Sequence, residues 1–178
     1  AVWNREGTHV SQIDLHGACR DICAMQGSKV AVKLWENRIA ASDSFNPELH
    51  IVCPLGGSQA MATFGESVIT GHNNGNVVVW ENGECVQDFP VCDSAITGLC
   101  ASERLVVAGA CSGLVFACNL QGSVLRVFEG HDTQVNHVVC WGKQIAAASH
   151  TGTVRVWDMD SGGCQTLTNF GYPVTTLV

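Results

Sequence analysis

A polar residue returns along this chain at an almost fixed step: Asn4, Asp43, Glu81, Asn119 and Asp158 are separated by 39, 38, 38 and 39 residues. The residues just before them are Trp3, Ser42, Trp80, Cys118 and Trp157, so three of the five tryptophans fall in one column. Apolar β-formers lead into that column, as in Val77-Val78-Val79-Trp80 and Val154-Arg155-Val156-Trp157. A period of this length means one supersecondary unit copied along the chain, unable to bury its apolar faces alone and stable only beside its copies.

Turn residues keep the same step. Asn74-Gly75, Ser112-Gly113 and Thr151-Gly152 precede the tryptophan-column strand, and Asn37 holds the matching place earlier. Such pairs predict tight two-residue hairpins. A second turn follows the strand at Gly7, Gly83, Gly122 and Gly162, with Phe45-Asn46-Pro47 in the odd copy. Each unit therefore reads as four short strands, a to d, with no helical periodicity competing. The last full unit predicts strands over 134–140, 144–149, 153–158 and 164–168. The unit before it gives 95–100, 105–109, 114–119 and 123–128; the next earlier, 59–64, 67–70, 76–81 and 84–89; the earliest complete one, 21–25, 29–35, 38–43 and 49–53. Residues 1–15 then hold strands c and d of a first unit, followed by units over 16–54, 55–90, 91–129 and 130–169. Residues 170–178 would begin another, with strand a over 173–177.

The stretch Gly130-His131 … Ser149-His150-Thr151-Gly152-Thr153-Val154-Arg155-Val156-Trp157-Asp158 resembles a WD repeat. Its marks are the Trp-Asp dipeptide, the Gly-His pair about 26 residues earlier and the period near 40. The short a–b connections at 101–104 and 140–143 resemble those in the WD domains of F-box, zinc-finger and TRAF-type proteins. The resemblance implies an all-β propeller of four-stranded antiparallel blades. About four and a half blades are present, as part of a ring that in this family commonly has seven. The rest of the ring would come from further sequence or from another chain. The resemblance also implies a hydrogen-bonded set of His131, Ser149, Thr151 and Trp157, with Thr151 standing where the family has Asp; Gly71-His72 sits in a b–c turn and reads as a false match to the Gly-His pair.

Charge narrows the partners. Nine Lys and Arg against sixteen Asp and Glu give a net charge of −7, which disfavours phosphate-backbone binding as a main task. Polybasic attachment to anionic membranes is disfavoured for the same reason, and the longest apolar run, Leu105–Cys111, is too short to span a bilayer. Ten cysteines without a Cys-x-x-Cys predict reduced, buried thiols and an intracellular protein, cytoplasmic or nuclear.

Catalytic chemistry finds little support. His131-Asp132 with Cys140 is the nearest string to a nucleophile–base pair, but Cys140 belongs to a strand interior. Neither Walker nor Gly-x-Ser-x-Gly patterns occur. His16, Cys19 and Cys23 form the tightest metal-like group, yet zinc wants four converging ligands, so no metal or other cofactor is expected. The ring face built by d–a and b–c loops is the expected partner-binding surface: His16, Arg20, His72, Asn74, Cys111, Ser112, His131, Asp132, His150 and Thr151. Trp3, Trp80, Trp157, Asp43 and Asp158 form the structural column. A phosphate-reading face would need clustered Arg, and only Arg20 falls there. Trp141, in an a–b turn on the opposite face, is a possible anchor for a partner or packs on the neighbouring hairpin. The expected function is a non-enzymatic scaffold or adaptor binding proteins or peptides. The alternatives are a substrate-recognition subunit of a ubiquitin ligase and a structural subunit of a large assembly.

Overall fold

The computed structural model describes residues 2–3, 9–11, 19–26, 29–34, 39–43, 46–53, 58–175 and 177. Among these there is no α-helix, and four four-stranded antiparallel sheets account for most of the chain. β1 (Val2–Trp3) and β2 (His9–Ser11) form a short pair ahead of them. The first full blade is β3 (Cys19–Ala24), β4 (Lys29–Leu34), β5 (Ile39–Asp43) and β6 (Asn46–Cys53). The second is β7 (Ser58–Phe64), β8 (Ser67–His72), β9 (Asn76–Glu81) and β10 (Glu84–Pro90). The third is β11 (Ile96–Ala101), β12 (Val106–Ala110), β13 (Val115–Cys118) and β14 (Val124–Phe128). The fourth is β15 (Val135–Trp141), β16 (Gln144–Ser149), β17 (Thr153–Asp158) and β18 (Cys164–Asn169).

Within each sheet the strands pair in chain order, and the first strands of neighbouring blades meet: β7 touches β11, and β11 touches β15. Strand a is therefore innermost and strand d outermost, the blade arrangement of a propeller. Strand b is sandwiched on both faces. All of β12 is buried, as is β16 from Ile145 to Ser149. The outermost strands are wet: Val124, Leu125 and Val127 of β14 are exposed, and only Phe128 turns inward.

The tryptophan column acquires a physical meaning here. Trp157 packs with Val107, Val115, Ala117 and Phe128 of the preceding blade, and Trp80 packs with Ala31 of its predecessor. Cys118 of the same column packs with Ala62, Ile69 and Phe89. Trp80, Cys118 and Trp157 thus each plug the seam behind their own blade. Burying a Trp there contributes roughly 3–5 kcal/mol, judged by the usual effect of truncation to Ala.

In the third and fourth blades the polar column closes the c–d turn. The Asp158 carboxylate accepts hydrogen bonds from the Asp160 and Ser161 amides and the Ser161 hydroxyl, which hold its pKa below the usual Asp range. Asn119 does the same for the amides of Gln121 and Ser123. For Trp3 and Asp43 the structure gives only their places in β1 and β5.

Three expectations need correction. The described b–c connections are longer than two residues: three in the second and fourth blades and four in the third. Gly75, Gly113 and Gly152 donate to the carbonyls of His72, Ala110 and Ser149, three residues back, and take positive φ of 82°, 90° and 90°. That is a turn ending in a left-handed glycine; the two-residue form with positive φ at both positions occurs at Asn82-Gly83 instead. Next, no strand forms over 173–175, because no neighbouring strand among the described residues offers it a ladder. The segment nevertheless lies along the blade before it: Asn136 Nδ2 donates to the Val174 carbonyl at 2.9 Å, and Thr97 Oγ1 donates to the Val135 carbonyl at 2.5 Å one repeat earlier. Finally, the cysteines are not uniformly buried. Among the eight described side chains Cys118 is buried, while Cys85, Cys111 and Cys164 are exposed, because outer strands and a b–c turn carry them.

Candidate functional site

The b–c turns and d–a loops gather on one face, and the glycines show how closely. A Cβ built on Gly113 would lie 2.3 Å from the carbonyl oxygen of His131, and one on Gly75 1.7 Å from that of Cys92. The b–c turns of the second, third and fourth blades therefore rest directly on the segment leading out of their own blade. Further contacts tie the face together: Thr133 Oγ1 lies 3.3 Å from Thr151 Oγ1, and the His150 amide donates to the Gln134 carbonyl at 2.8 Å. Asn74, Cys111, Ser112, Asp132, His150 and Thr151 are exposed on this face. His16 lies outside the described residues, and Arg20 is placed only by its backbone in β3.

His131 and His72 turn inward. His131 is 8 % exposed, with its ring edge-on to Trp157 at 5.5 Å between centroids. Neither ring nitrogen has a hydrogen-bond partner. Burial lowers its pKa, Arg155 adds to this, and the Ala147 backbone and Asp132 pull weakly the other way without a hydrogen bond of ordinary geometry being formed. The set implied by the WD resemblance is thus broken. Ser149 Oγ meets Thr151 Oγ1 at 3.1 Å, but the Trp157 indole donates to the Glu129 carbonyl at 3.3 Å.

A connected network exists one blade pair earlier, where the sequence reading discounted it. The Trp80 indole donates to Thr70 Oγ1 at 2.9 Å, and that hydroxyl lies 2.8 Å from His72 Nε2. Burial lowers the His72 pKa, Asp88 opposes and Lys33 assists. The Thr70 hydroxyl has one proton and two acceptors in reach, His72 Nε2 and the Val78 carbonyl at 3.4 Å; with either His72 tautomer the three side chains form a chain. Thr70 stands ten residues before Trp80. The same step back from Trp157 reaches Ala147, which has no hydroxyl, and that explains the detour to Glu129. Gly71 is present for packing: a Cβ there would meet Ile96 Cγ2 of the next blade at 2.4 Å, and Gly109 faces Val135 Cγ1 at 2.4 Å one repeat later.

The inner edge holds a feature that the sequence reading missed. Every a–b ladder slips by one residue near its start, at Cys19/Asp21, Ser58/Ala60, Ile96/Gly98 and Val135/His137. The bulged residues are Arg20, Gln59, Thr97 and Asn136. Gln59, Thr97 and Asn136, with the buried Lys33 and with His137, line a cavity of about 340 Å³. A bulge re-aims a side chain, here onto the concave edge. Their chemistry differs from blade to blade, so nothing but the period marks them.

The string His131-Asp132-Cys140 does not assemble. The His131 ring packs on Trp157 without a hydrogen bond, and Cys140 Sγ meets Cys100 Sγ. For the group His16, Cys19 and Cys23, His16 is outside the described residues and Cys19 is placed only by backbone. Among the described residues no three His, Cys, Asp or Glu side chains are grouped to hold a metal ion, and no helix is long and apolar enough to cross a membrane. Trp141 ends β15 half-exposed.

Antiparallel four-stranded blades, inner strands abutting and a tryptophan column in the seams, define a WD-repeat β-propeller, here as an arc of about four blades. The family model described as the IP5P C-F beta-propeller matches residues 57–157, and the chain belongs to that family. A curated relative, "Target of rapamycin complex subunit wat1" of Schizosaccharomyces pombe, is 33% identical over 107 residues, which is 56% of this chain and 34% of that protein. The chain therefore spans about a third of that relative's length. Among solved structures, the computationally designed Ika8 protein superposes with a TM-score of 0.76 at 23% identity, over 97% of this chain and 56% of that one. U3-55K gives a TM-score of 0.76 at 15% identity over 86% and 52% of the two chains. A chain of a mitotic checkpoint complex gives 0.75 at 15% identity over 96% and 62%. At these identities the structures speak for the fold alone. WD-repeat propellers serve in general as protein-interaction platforms and are generally not enzymes.

Proposed function

We propose that this chain acts as a non-enzymatic scaffold within an intracellular protein assembly, with the loop face of Asn74, Cys111, Ser112, Asp132, His150 and Thr151 meeting the partner. The observation that carries the reading is the combination of exposed, short polar side chains with rigid support: each described b–c turn is clamped on the segment leading out of its own blade through a close glycine. Rigid loops lose little conformational freedom on binding, which favours affinity. Asp93 and Asp132 are exposed in the d–a loops, so the described part of the face suits a partner segment that is neutral or basic.

A permanent structural subunit is the second reading, favoured by the relative whose name makes it a subunit of a complex. Native purification of the full natural protein separates the two. A scaffold exchanges partners, so recovery falls on dilution; a permanent subunit holds a fixed stoichiometry. In either case the double variant Ser112→Arg with His150→Glu should release the partner while leaving the fold intact. Retention of every co-purifying protein by that folded variant would refute the choice of face.

A further inference from the structure

The inner strands of the third and fourth blades bring two thiols together. Cys100 near the end of β11 and Cys140 near the end of β15 lie one repeat apart, sulfur to sulfur at 3.2 Å. Both are partly buried against the cluster that contains Val107, Val138 and Trp157. A disulfide has its sulfurs about 2.05 Å apart, so closure moves them together by about 1.2 Å. We propose that Cys100 and Cys140 are a redox modification site, oxidised by a low-molecular-weight disulfide of the glutathione type, and that the product is a covalent tie between two blades.

The pair is asymmetric in the way exchange requires. Either thiol can donate across this contact; when Cys140 donates to the Cys100 sulfur, that hydrogen bond and further ones from the backbone near Cys140 and Ala101 bring the Cys100 pKa down to about 7 against the opposing effect of burial. Cys140, as the donor, is pushed up. Cys100 is then the attacking thiolate at neutral pH, where thiols with a pKa near the ambient value react best. It attacks one sulfur of the small disulfide, forming a mixed disulfide and expelling one thiolate. Cys140 passes its proton to a departing thiolate and attacks the Cys100 sulfur, expelling the second small thiol. Two electrons pass from the cysteine pair to the small disulfide, which leaves as two thiols.

The test treats the folded full chain with glutathione disulfide at neutral pH and maps peptides without reduction. The expected result is a Cys100–Cys140 linked peptide pair lighter by two hydrogens, reversed by a thiol reductant. Cys140→Ser keeps a hydroxyl donor beside Cys100 but lacks the resolving sulfur, so it should stop at a glutathione adduct on Cys100. Cys100→Ser should lose both products. Free thiols at Cys100 and Cys140 in a chain whose exposed Cys85, Cys111 and Cys164 have taken up glutathione would overturn the assignment, as would a link that forms only after unfolding.

Discussion

Thr70→Val changes one hydroxyl for a methyl inside β8 and tests the Trp80–Thr70–His72 chain at its middle. Thr70 is 0% exposed and Trp80 4% exposed, so water cannot replace the lost acceptor at the indole. An orphaned buried donor costs about 1–3 kcal/mol. His72 Nε2 loses its partner too, but the residue is partly exposed and can recruit water, which keeps that part to roughly 0.5–1.5 kcal/mol. The sum is about 1.5–4.5 kcal/mol, with no cavity contribution because Val fills the space of Thr. For a chain of this size that lowers Tm by roughly 5–15 °C. Urea unfolding of wild type, Thr70→Val, Trp80→Phe and the double variant gives the coupling directly. The indole–hydroxyl bond predicts an interaction energy of about 1 kcal/mol or more, since Trp80→Phe also removes the group that Thr70→Val strands. A Thr70→Val effect within about 0.5 kcal/mol, or additive single variants, would refute the network.

His131→Phe should hold stability level or raise it, because no partner is orphaned and the edge-on contact with Trp157 survives; a thermal melt checks this. Acid should weaken the fold through the same histidines. Burial lowers the pKa of His72 and of His131, so the unfolded chain binds protons first as pH falls through the ordinary histidine value. Stability is level above that value, declines between it and the lowered folded values, and levels again below them. Urea midpoints at neutral and mildly acid pH should therefore differ, and His131→Phe should shrink the difference. Gly113→Ala places a methyl against the His131 carbonyl at φ +90° and should cost roughly 1–3 kcal/mol from backbone strain alone, read by denaturant unfolding.

Much of this architecture is visible in the residues, for identifiable reasons. Strands β16, β9 and β17 agree with the sequence reading at both ends, because Gln144, Asn76 and Thr153 follow glycine turns and apolar runs fill the interiors. The tryptophan column is equally plain, since three of the five tryptophans fall at one position of the period. What the pattern hides is chemistry that varies at a fixed position. The bulge column Arg20, Gln59, Thr97 and Asn136 shares no side-chain type, so only the slipped ladders reveal it. Thr70 belongs to no motif of its own beside Gly71-His72, and the hydroxyl that meets the tryptophan follows from its place in β8, ten residues before Trp80. Of the candidate face, His72 and His131 looked like loop residues and proved to be packed. The outward set on the b–c turns is legible because its period follows the turn glycines. Cys100 and Cys140 needed both strand assignments before their spacing of 40 residues meant proximity.

The most direct measurement of the scaffold account is site-specific photo-crosslinking of the full natural protein in its own cell extract, with the probe at Ser112, at His150 and, as the control, at Glu103 in the opposite a–b turn. The account predicts a discrete protein adduct from Ser112 and His150 and none from Glu103. Adducts from Glu103 alone, or the same adducts from all three positions, would contradict it.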